Sequence, residues 1–263
     1  MRETYSVDLQ NRFLPFRLPI VSGLDYYGEC QPAAADAAKE GGDFFDFVPD
    51  ANGLTISLGE VSGNGVGTAA LNSGLQASLR GLSIAGHGRI SSTVQALNKF
   101  VCELSPDDLY ATLFYAHLDR VNRELRYISA AHEPVLLVRK DPARVRHLEG
   151  TGAVLGLSRR SEYRQRTIWL EPGDMLVAFS DGVSGATDEQ GREWCERGVL
   201  DVVRQYPGAR AASLARIIMA EVDRFTNHAA PPDDRTVVVV SFQGVVGETV
   251  IEDSSREPAF AAA

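Results

Sequence analysis

Residues 43–60, DFFDFVPDANGLTISLGE, hold the pattern that decides the fold. Two runs rich in aromatic and aliphatic residues flank PDANG, and a cluster of Pro, Asp, Asn and Gly between such runs is typical of a β-hairpin. The turn centres near Ala51 and Asn52, so Asp43 and Glu60 stand about equally far from it. This register predicts that the two carboxylates lie together at the open end of the hairpin.

Helical patterns follow the hairpin and recur near the end of the chain. Leu71, Leu75 and Leu79 stand at i, i+4 spacing and predict one helix, and SSTVQALNKFVCEL predicts a second. A later pair of helices is predicted by EWCERGVLDVVRQY and ASLARIIMAEVDRF. Between the two pairs, short turns join β-type runs, and RTVVVVSF adds a last strand. Without regular βαβ alternation, the pattern predicts an α+β fold with mainly antiparallel sheets and helix pairs on their outer faces.

The charge of the chain restricts its partners. The 263 residues carry a net charge of −9 with a pI near 5.1, and no basic block appears. The sequence therefore gives no electrostatic reason to bind nucleic acid or an anionic membrane. A phosphate ligand would be repelled unless a cation is added. Three cysteines without a CxxC or disulfide pattern, no signal peptide and no apolar run near ~18 residues predict a cytoplasmic protein.

A second group of acids stands at strand ends in the later half of the chain. Asp181 follows the apolar run MLVAFS, and Asp233 and Asp234 precede RTVVVV. Because the end of one antiparallel strand and the start of its neighbour share an edge, these acids could converge with Asp43 and Glu60. Several carboxylates in one place repel one another, and oxygen-only ligands suit Mg²⁺ or Mn²⁺. Each acid alone is also a common turn residue, so the convergence is a hypothesis.

Other familiar catalytic patterns are missing from the sequence. No His and Cys set stands near the acids, which argues against zinc. There is no GxxxxGK[ST] loop, and Ser184 is not part of a GxSxG elbow. His132, in SAAHEPVLL, ends a β-type run, and we predict a structural hydrogen-bonding role for it.

Six blocks in order resemble a known family. They are GGDFFDF, LGEVSGNGVGTA, LYATLFYAHLDRVNRELRYISAAHEPVLLVR, TGAVLGL, LEPGDMLVAFSDGVSGATDEQG and DDRTVVVV. They are similar to the metal-dependent, type 2C-like protein phosphatases, in the bacterial branch of stage II sporulation protein E, over about residues 20 to 243. The resemblance implies a four-layer αββα sandwich of two mainly antiparallel sheets flanked by helix pairs. It also implies hydrolysis of phosphoserine or phosphothreonine by a water held between two Mn²⁺ or Mg²⁺ ions.

The resemblance also implies roles for single residues and a partner. Matched by position, the metal ligands and catalytic acids are Asp43, Glu60, Asp181 and Asp233, with the Val61 carbonyl as a backbone ligand and Gly182 and Asp234 in support. Glu60 matches the acid that bridges both metals, a position at which the family has Asp. The implied partner is a phosphorylated regulatory protein of the anti-sigma factor antagonist type, and a homodimer is left open. The alternative is a pseudophosphatase that binds a regulator without turnover, because Glu60 moves the bridging carboxylate out by one methylene.

The chain is predicted to have three parts. Residues 1–40 form a lead-in segment with helical patterns, residues 41–245 form the phosphatase domain, and residues 246–263 form a flexible tail.

Overall fold

The computed structural model describes residues 18–34, 42–63, 66–86, 88–104, 109–141 and 143–244. Within these ranges the chain forms ten strands and five helices. The strands are β1 (Leu24–Gln31), β2 (Asp43–Pro49), β3 (Gly53–Val61), β4 (Ala111–Asp119), β5 (Glu124–Ala130), β6 (Val135–Val138), β7 (Val145–Leu148), β8 (Arg166–Trp169), β9 (Met175–Phe179) and β10 (Arg235–Phe242). The helices are α1 (Val66–Gly86), α2 (Ile90–Leu104), α3 (Asp181–Ser184), α4 (Cys195–Gln205) and α5 (Ala211–Phe225).

The strands form two five-stranded sheets in which the described pairs are antiparallel. Sheet 1 has the order β1-β10-β9-β6-β7, and sheet 2 has the order β2-β3-β4-β5-β8. Helices α1 and α2 cover the outer face of sheet 2, and α5 packs on β10 and β1 of sheet 1, with α4 beside it. The four-layer αββα sandwich expected from the sequence is therefore confirmed.

The core lies in three layers because both faces of each sheet are covered. Phe45 and Phe47 of β2 point into the layer between the sheets, whereas Phe44 points outward into the layer under α1. Leu71, Leu75 and Leu79 of α1 are buried in that outer layer, as their spacing predicts. Burial on both faces explains why these strands read as nearly continuous apolar runs rather than alternating ones.

The first hairpin has the register that its sequence predicts. Asp43 pairs directly with Glu60, and Pro49 pairs with Leu54 at the turn. The carboxylate of Asp50 closes the turn by accepting hydrogen bonds from the backbone N–H groups of Asn52 and Gly53, both at 2.8 Å. The prediction that two acids 17 positions apart meet across the hairpin is confirmed at the level of the backbone.

Strand β1 is the element that the sequence pattern does not predict. It lies in the segment set apart as a lead-in, yet it pairs with β10 from Leu24↔Phe242 to Gln31↔Arg235. Its sequence, LDYYGECQ, is half-polar because it is an edge strand, and most of its side chains are half-buried. The helical patterns of the lead-in fall mainly at residues 1–17 and 35–41, and the tail at 246–263, outside the described residues. No described helix combines the length and hydrophobicity needed to cross a membrane.

Candidate metal centre

Four of the predicted site acids lie at strand ends on one side of the sandwich. Asp43 and Glu60 stand at the open end of the β2–β3 hairpin in sheet 2. Asp181 opens α3 directly after β9, and Asp233 precedes β10 in sheet 1. Because β9 and β10 are antiparallel neighbours, with Phe179 opposite Val237, the end of β9 and the start of β10 share one edge. Facing sheets thus bring the two halves of the sequence to the same place.

Three carboxylates converge at this edge. One oxygen from each of Glu60, Asp181 and Asp233 lies within 4.8 Å of the others, and all three side chains are half-buried. Two carboxylates ~4 Å apart repel by roughly 4 kcal/mol at an effective dielectric of about 20, so such a group takes up protons or a cation. The donors are all oxygen atoms, a set that fits Mg²⁺ or Mn²⁺ better than zinc.

Asp43 lies beside this group rather than in it. Its side chain is buried, and its Oδ2 accepts a hydrogen bond from Oγ1 of Thr236 at 2.6 Å. Burial, and next the charge of Asp234, raise the pKa of Asp43 well above its usual range, although hydrogen bonds from Ser180 and Thr236 oppose this. Asp43 is thus held between the two sheets, next to Glu60 but with its carboxylate already anchored.

The carboxylate of Asp234 joins three segments of backbone. Its Oδ1 accepts the N–H of Ala33 at 2.8 Å, and its Oδ2 accepts the N–H of Asp43 at 3.2 Å. Burial raises the pKa of Asp234, and these two hydrogen bonds act in the opposite direction. Asp234 therefore ties the chain after β1 and the start of β2 to the start of β10, which fits a supporting position.

Two glycines let the backbone approach closely beside the acids. The N–H of Val61 donates to the carbonyl of Gly42 at 3.0 Å, and a Cβ on Gly42 would lie 2.2 Å from the Val61 carbonyl oxygen. A Cβ on Gly182 would lie 1.9 Å from the carbonyl oxygen of Asp234. Real Cβ atoms do not come this close to a backbone oxygen, so the GGD and DG blocks need glycine for steric reasons.

We expect Gly182→Ala to weaken Mn²⁺ binding and to destabilise the fold by about 1–3 kcal/mol, because the added methyl pushes α3 away from β10. Gly81→Ala is the matched control, since a Cβ there meets nothing within 4 Å. Mid-helix Gly→Ala should stabilise by roughly 0.5–1 kcal/mol. Thermal melts with and without Mn²⁺ measure both effects. Unchanged Mn²⁺ affinity in Gly182→Ala would contradict the view that the close approach of Gly182 to the Asp234 carbonyl positions the metal-binding acids.

His132 and a hydroxyl lie next to the acids. Thr112 of β4 pairs directly with Glu60, and its Oγ1 is 3.1 Å from Nδ1 of His132, which agrees with the structural role predicted for this histidine. Burial lowers the pKa of His132 to about 4, so the ring is neutral near pH 7. Oγ of Ser184 donates to Oε2 of Glu133 at 3.3 Å. The sequence does not single out Thr112 or Glu133, because each stands beside an ordinary strand end.

Comparison with known proteins identifies the family. The family model of stage II sporulation protein E (SpoIIE) matches residues 50–243, about three quarters of the chain. The chain belongs to the SpoIIE family. The phosphoserine phosphatase RsbU of Bacillus subtilis is 30% identical to this SpoIIE-family chain over 239 residues, which cover 89% of the chain and 68% of RsbU.

Solved structures agree with this assignment. The RsbU and RsbW domains of Rv1364c from Mycobacterium tuberculosis match with a TM-score of 0.74 and 28% identity, over 87% of the SpoIIE-family chain and 62% of that chain. The SiaA-PP2C domain of Pseudomonas aeruginosa matches with a TM-score of 0.76 and 20% identity, over 91% of the SpoIIE-family chain and 95% of the SiaA chain. At that identity the SiaA match supports the fold alone. The enzyme class expected from the sequence, a protein serine/threonine phosphatase of the metal-dependent type, is confirmed for the family.

Proposed function

We propose that this chain hydrolyses phosphoserine or phosphothreonine on a regulatory protein and uses two Mn²⁺ or Mg²⁺ ions. One observation carries the proposal: oxygens of Glu60, Asp181 and Asp233, from both sheets, lie within 4.8 Å of one another. Such a group of like charges attracts a counter-charge, and the protein has a net charge of −9. The arrangement fits divalent cations held by oxygen atoms.

The residues of the chain have separate tasks in this proposal. Glu60, Asp181 and Asp233 would hold the ions, together with Asp43 and the carbonyl of Val61. When bound, divalent ions neutralise phosphate charge and lower the pKa of water toward neutrality. Asp43 is fixed by the hydroxyl of Thr236, which limits the rotation of its carboxylate.

Supporting groups keep the acids in register. Asp234 binds the backbone N–H of Asp43, so β2 cannot slide relative to β10 without losing that hydrogen bond. The N–H of Thr236 donates to Oγ of Ser180 at 3.0 Å, and Oγ of Ser180 donates to the carbonyl of Asp234 at 3.3 Å. These bonds hold the loop of Asp233 and the start of α3 at a fixed spacing, which is what preorganised charge requires.

The substrate and compartment belong to the same proposal. The resemblance of the six sequence blocks supports an anti-sigma factor antagonist as the phosphoprotein, within a partner-switching pathway. We place this reaction in the cytoplasm. A homodimer stays a prediction.

The test is dephosphorylation of p-nitrophenyl phosphate and of a phosphoserine peptide, with added Mn²⁺ and with EDTA. We expect turnover of both substrates with Mn²⁺, loss of turnover with EDTA, and recovery when Mn²⁺ is returned in excess. Calorimetric titration of the EDTA-treated protein with Mn²⁺ measures binding separately from turnover. If no chelator-sensitive turnover occurs at any Mn²⁺ concentration, the enzymatic function is refuted.

A second candidate function rests on Glu60 itself. The family has Asp at the matching position, and the longer side chain displaces the carboxylate by one methylene. A pseudophosphatase that binds a phosphoprotein without turnover would show Mn²⁺ binding and peptide binding in the same experiments, with no release of phosphate.

A further inference from the structure

Positive charge is concentrated in one part of this acidic chain. Residues 139–166 contain eight Arg and Lys against three Asp and Glu, whereas the whole chain has a net charge of −9. The cations alternate with other residues or stand in pairs, so the sequence shows no basic block. They fall on or beside strands β7 and β8 and the turns that flank them.

The fold brings these two strands to one side of the sandwich. Strand β7 is the last strand of sheet 1, and β8 is the last strand of sheet 2. The segment after β7 crosses from sheet 1 to sheet 2: the N–H of Thr151 donates to Ser129 of β5 at 2.8 Å, and the N–H of Arg164 donates to Thr151 at 3.1 Å. The two outer edges therefore lie next to each other. We call the four arginines on them the basic edge: Arg144, Arg146, Arg164 and Arg166.

The arginines of the basic edge are exposed, and nearby acids offset their charge only weakly. All four arginines are exposed. Arg144 is 4.0 Å from Asp141 and Arg166 is 3.9 Å from Glu149, both at the distance limit of an ion pair, with the two arginine side chains 80% and 60% exposed. Such exposed ion pairs contribute little to stability. In the described part of the chain, Arg146 and Arg164 make no ion pair.

Arg146 on β7 and Arg166 on β8, strands of different sheets, both lie near Tyr127 of β5. Both act on the hydroxyl of Tyr127, whose pKa is raised by burial and lowered by these two charges. Each shares a strand face with a core residue, Leu148 for Arg146 and Ile168 for Arg166. Their aliphatic stems therefore lie over the core while the guanidinium groups reach solvent.

The segment between β7 and β8 links the basic edge to the strand ends beside the metal centre. Beyond β7, Gly152 accepts the N–H of Ala131 at 3.1 Å, and Leu155 exchanges both backbone hydrogen bonds with Ala111. Ala131 immediately precedes His132, and Ala111 precedes Thr112, which pairs with Glu60. A folded protein that presents a phosphoserine to the acids therefore comes close to the arginines.

We infer that the basic edge is a docking surface for an acidic face of the phosphoprotein substrate. The inference rests on the proposed function. A chain with a net charge of −9 repels an acidic substrate unless one surface attracts it, and a single-sign surface beside a site raises the rate of encounter. Charged edge strands also prevent edge-to-edge pairing, but charges of either sign do so, and therefore edge protection does not account for four arginines.

The experiment compares an acidic phosphoprotein with a small substrate. The probes are casein phosphorylated on serine and p-nitrophenyl phosphate, both with saturating Mn²⁺. The variant is Arg146→Glu/Arg164→Glu. The control is Arg197→Glu/Arg204→Glu, which makes the same charge change on α4, where both arginines lie within 3.8 Å of Asp201. Arg146→Gln/Arg164→Gln removes both charges without reversing them and replaces the first variant if charge reversal unfolds the protein.

We expect kcat/KM for casein to fall about tenfold in the variant through KM, and to change less than twofold for p-nitrophenyl phosphate. Added salt should lower the wild-type rate on casein and narrow the difference between wild type and variant on that substrate. The control should match the wild type. Equal kcat/KM for casein in variant and wild type, the same loss in the control, or equal losses on both substrates would overturn the inference.

Two more results separate the alternatives. If wild-type protein hydrolyses neither substrate at any Mn²⁺ concentration, the proposed function fails, and anisotropy measurements of labelled casein binding to wild type and variant then decide the docking surface alone. If the variant keeps its activity on casein but loses binding to vesicles of phosphatidylcholine and phosphatidylserine, the edge serves a membrane and the inference is overturned.

Discussion

Asp181→Asn should lower Mn²⁺ affinity by about 10³-fold and remove turnover at ordinary Mn²⁺ concentrations. The change keeps the shape of the side chain but removes one of the three charges that meet within 4.8 Å. One charge–charge attraction at ~4 Å is worth roughly 4 kcal/mol at an effective dielectric of about 20, which corresponds to a factor near 10³ in affinity. Calorimetric titration with Mn²⁺ and phosphate release from p-nitrophenyl phosphate measure the two effects.

In the metal-free protein, the same substitution should increase thermal stability. Without a cation the three carboxylates repel one another, so Asp181→Asn should raise the melting temperature in EDTA. A substitution that merely damaged the fold would lower it. Asp201→Asn is the control, because Asp201 is 61% exposed on α4 and its loss should change neither quantity. Unchanged activity and Mn²⁺ affinity in Asp181→Asn would show that Asp181 is not a ligand.

The part of the site that the sequence predicts best depends on local geometry. Asp43 and Glu60 are paired by a single short turn, so counting outward from PDANG is enough to place them opposite each other. Asp181 and Asp233 also follow from a local rule, because each stands where an apolar run meets polar residues. Their meeting with Glu60 depends on how the two sheets face each other, a long-range packing property for which the sequence gives only a hypothesis.

The remaining features depend on contacts between distant segments. Strand β1 pairs with β10 across more than 200 positions, and its half-polar sequence gives only a weak strand pattern. Ser180 and Thr236 anchor the site, but the sequence does not distinguish a hydroxyl residue in or next to an apolar strand from other strand residues until its partner is known. The sequence does not predict the basic edge for the same reason, because its arginines come from the edge strands of two different sheets.

The choice between an active phosphatase and a binding protein depends on how Glu60 fits. The structure places its carboxylate within 4.8 Å of Asp181 and Asp233, so the longer side chain still reaches the other two acids. This favours an active site that tolerates Glu. However, a catalytic group displaced by ~1 Å can lose about 10²-fold in rate, so reach alone does not guarantee full activity.

Glu60→Asp separates these possibilities. If Glu60 weakens the centre, the shorter side chain should raise kcat or tighten Mn²⁺ binding, by as much as about 10²-fold, because it draws the carboxylate back by one methylene to the position that the sequence resemblance implies. Glu60→Gln is the matched control: it keeps the length, removes the charge and should lose Mn²⁺ affinity. Titration with Mn²⁺ and phosphate release again provide the two measurements.

The opposite result would be equally informative about the centre. If Glu60→Asp loses as much Mn²⁺ affinity as Glu60→Gln, the added methylene is required here, and the surrounding backbone has adapted to it. Glu60 lies on β3 directly opposite both Asp43 and Thr112, so its Cα is fixed by two neighbouring strands. A shorter side chain could then reach the other acids only if the whole hairpin moved, which the hydrogen bond between Asp43 N–H and Asp234 resists.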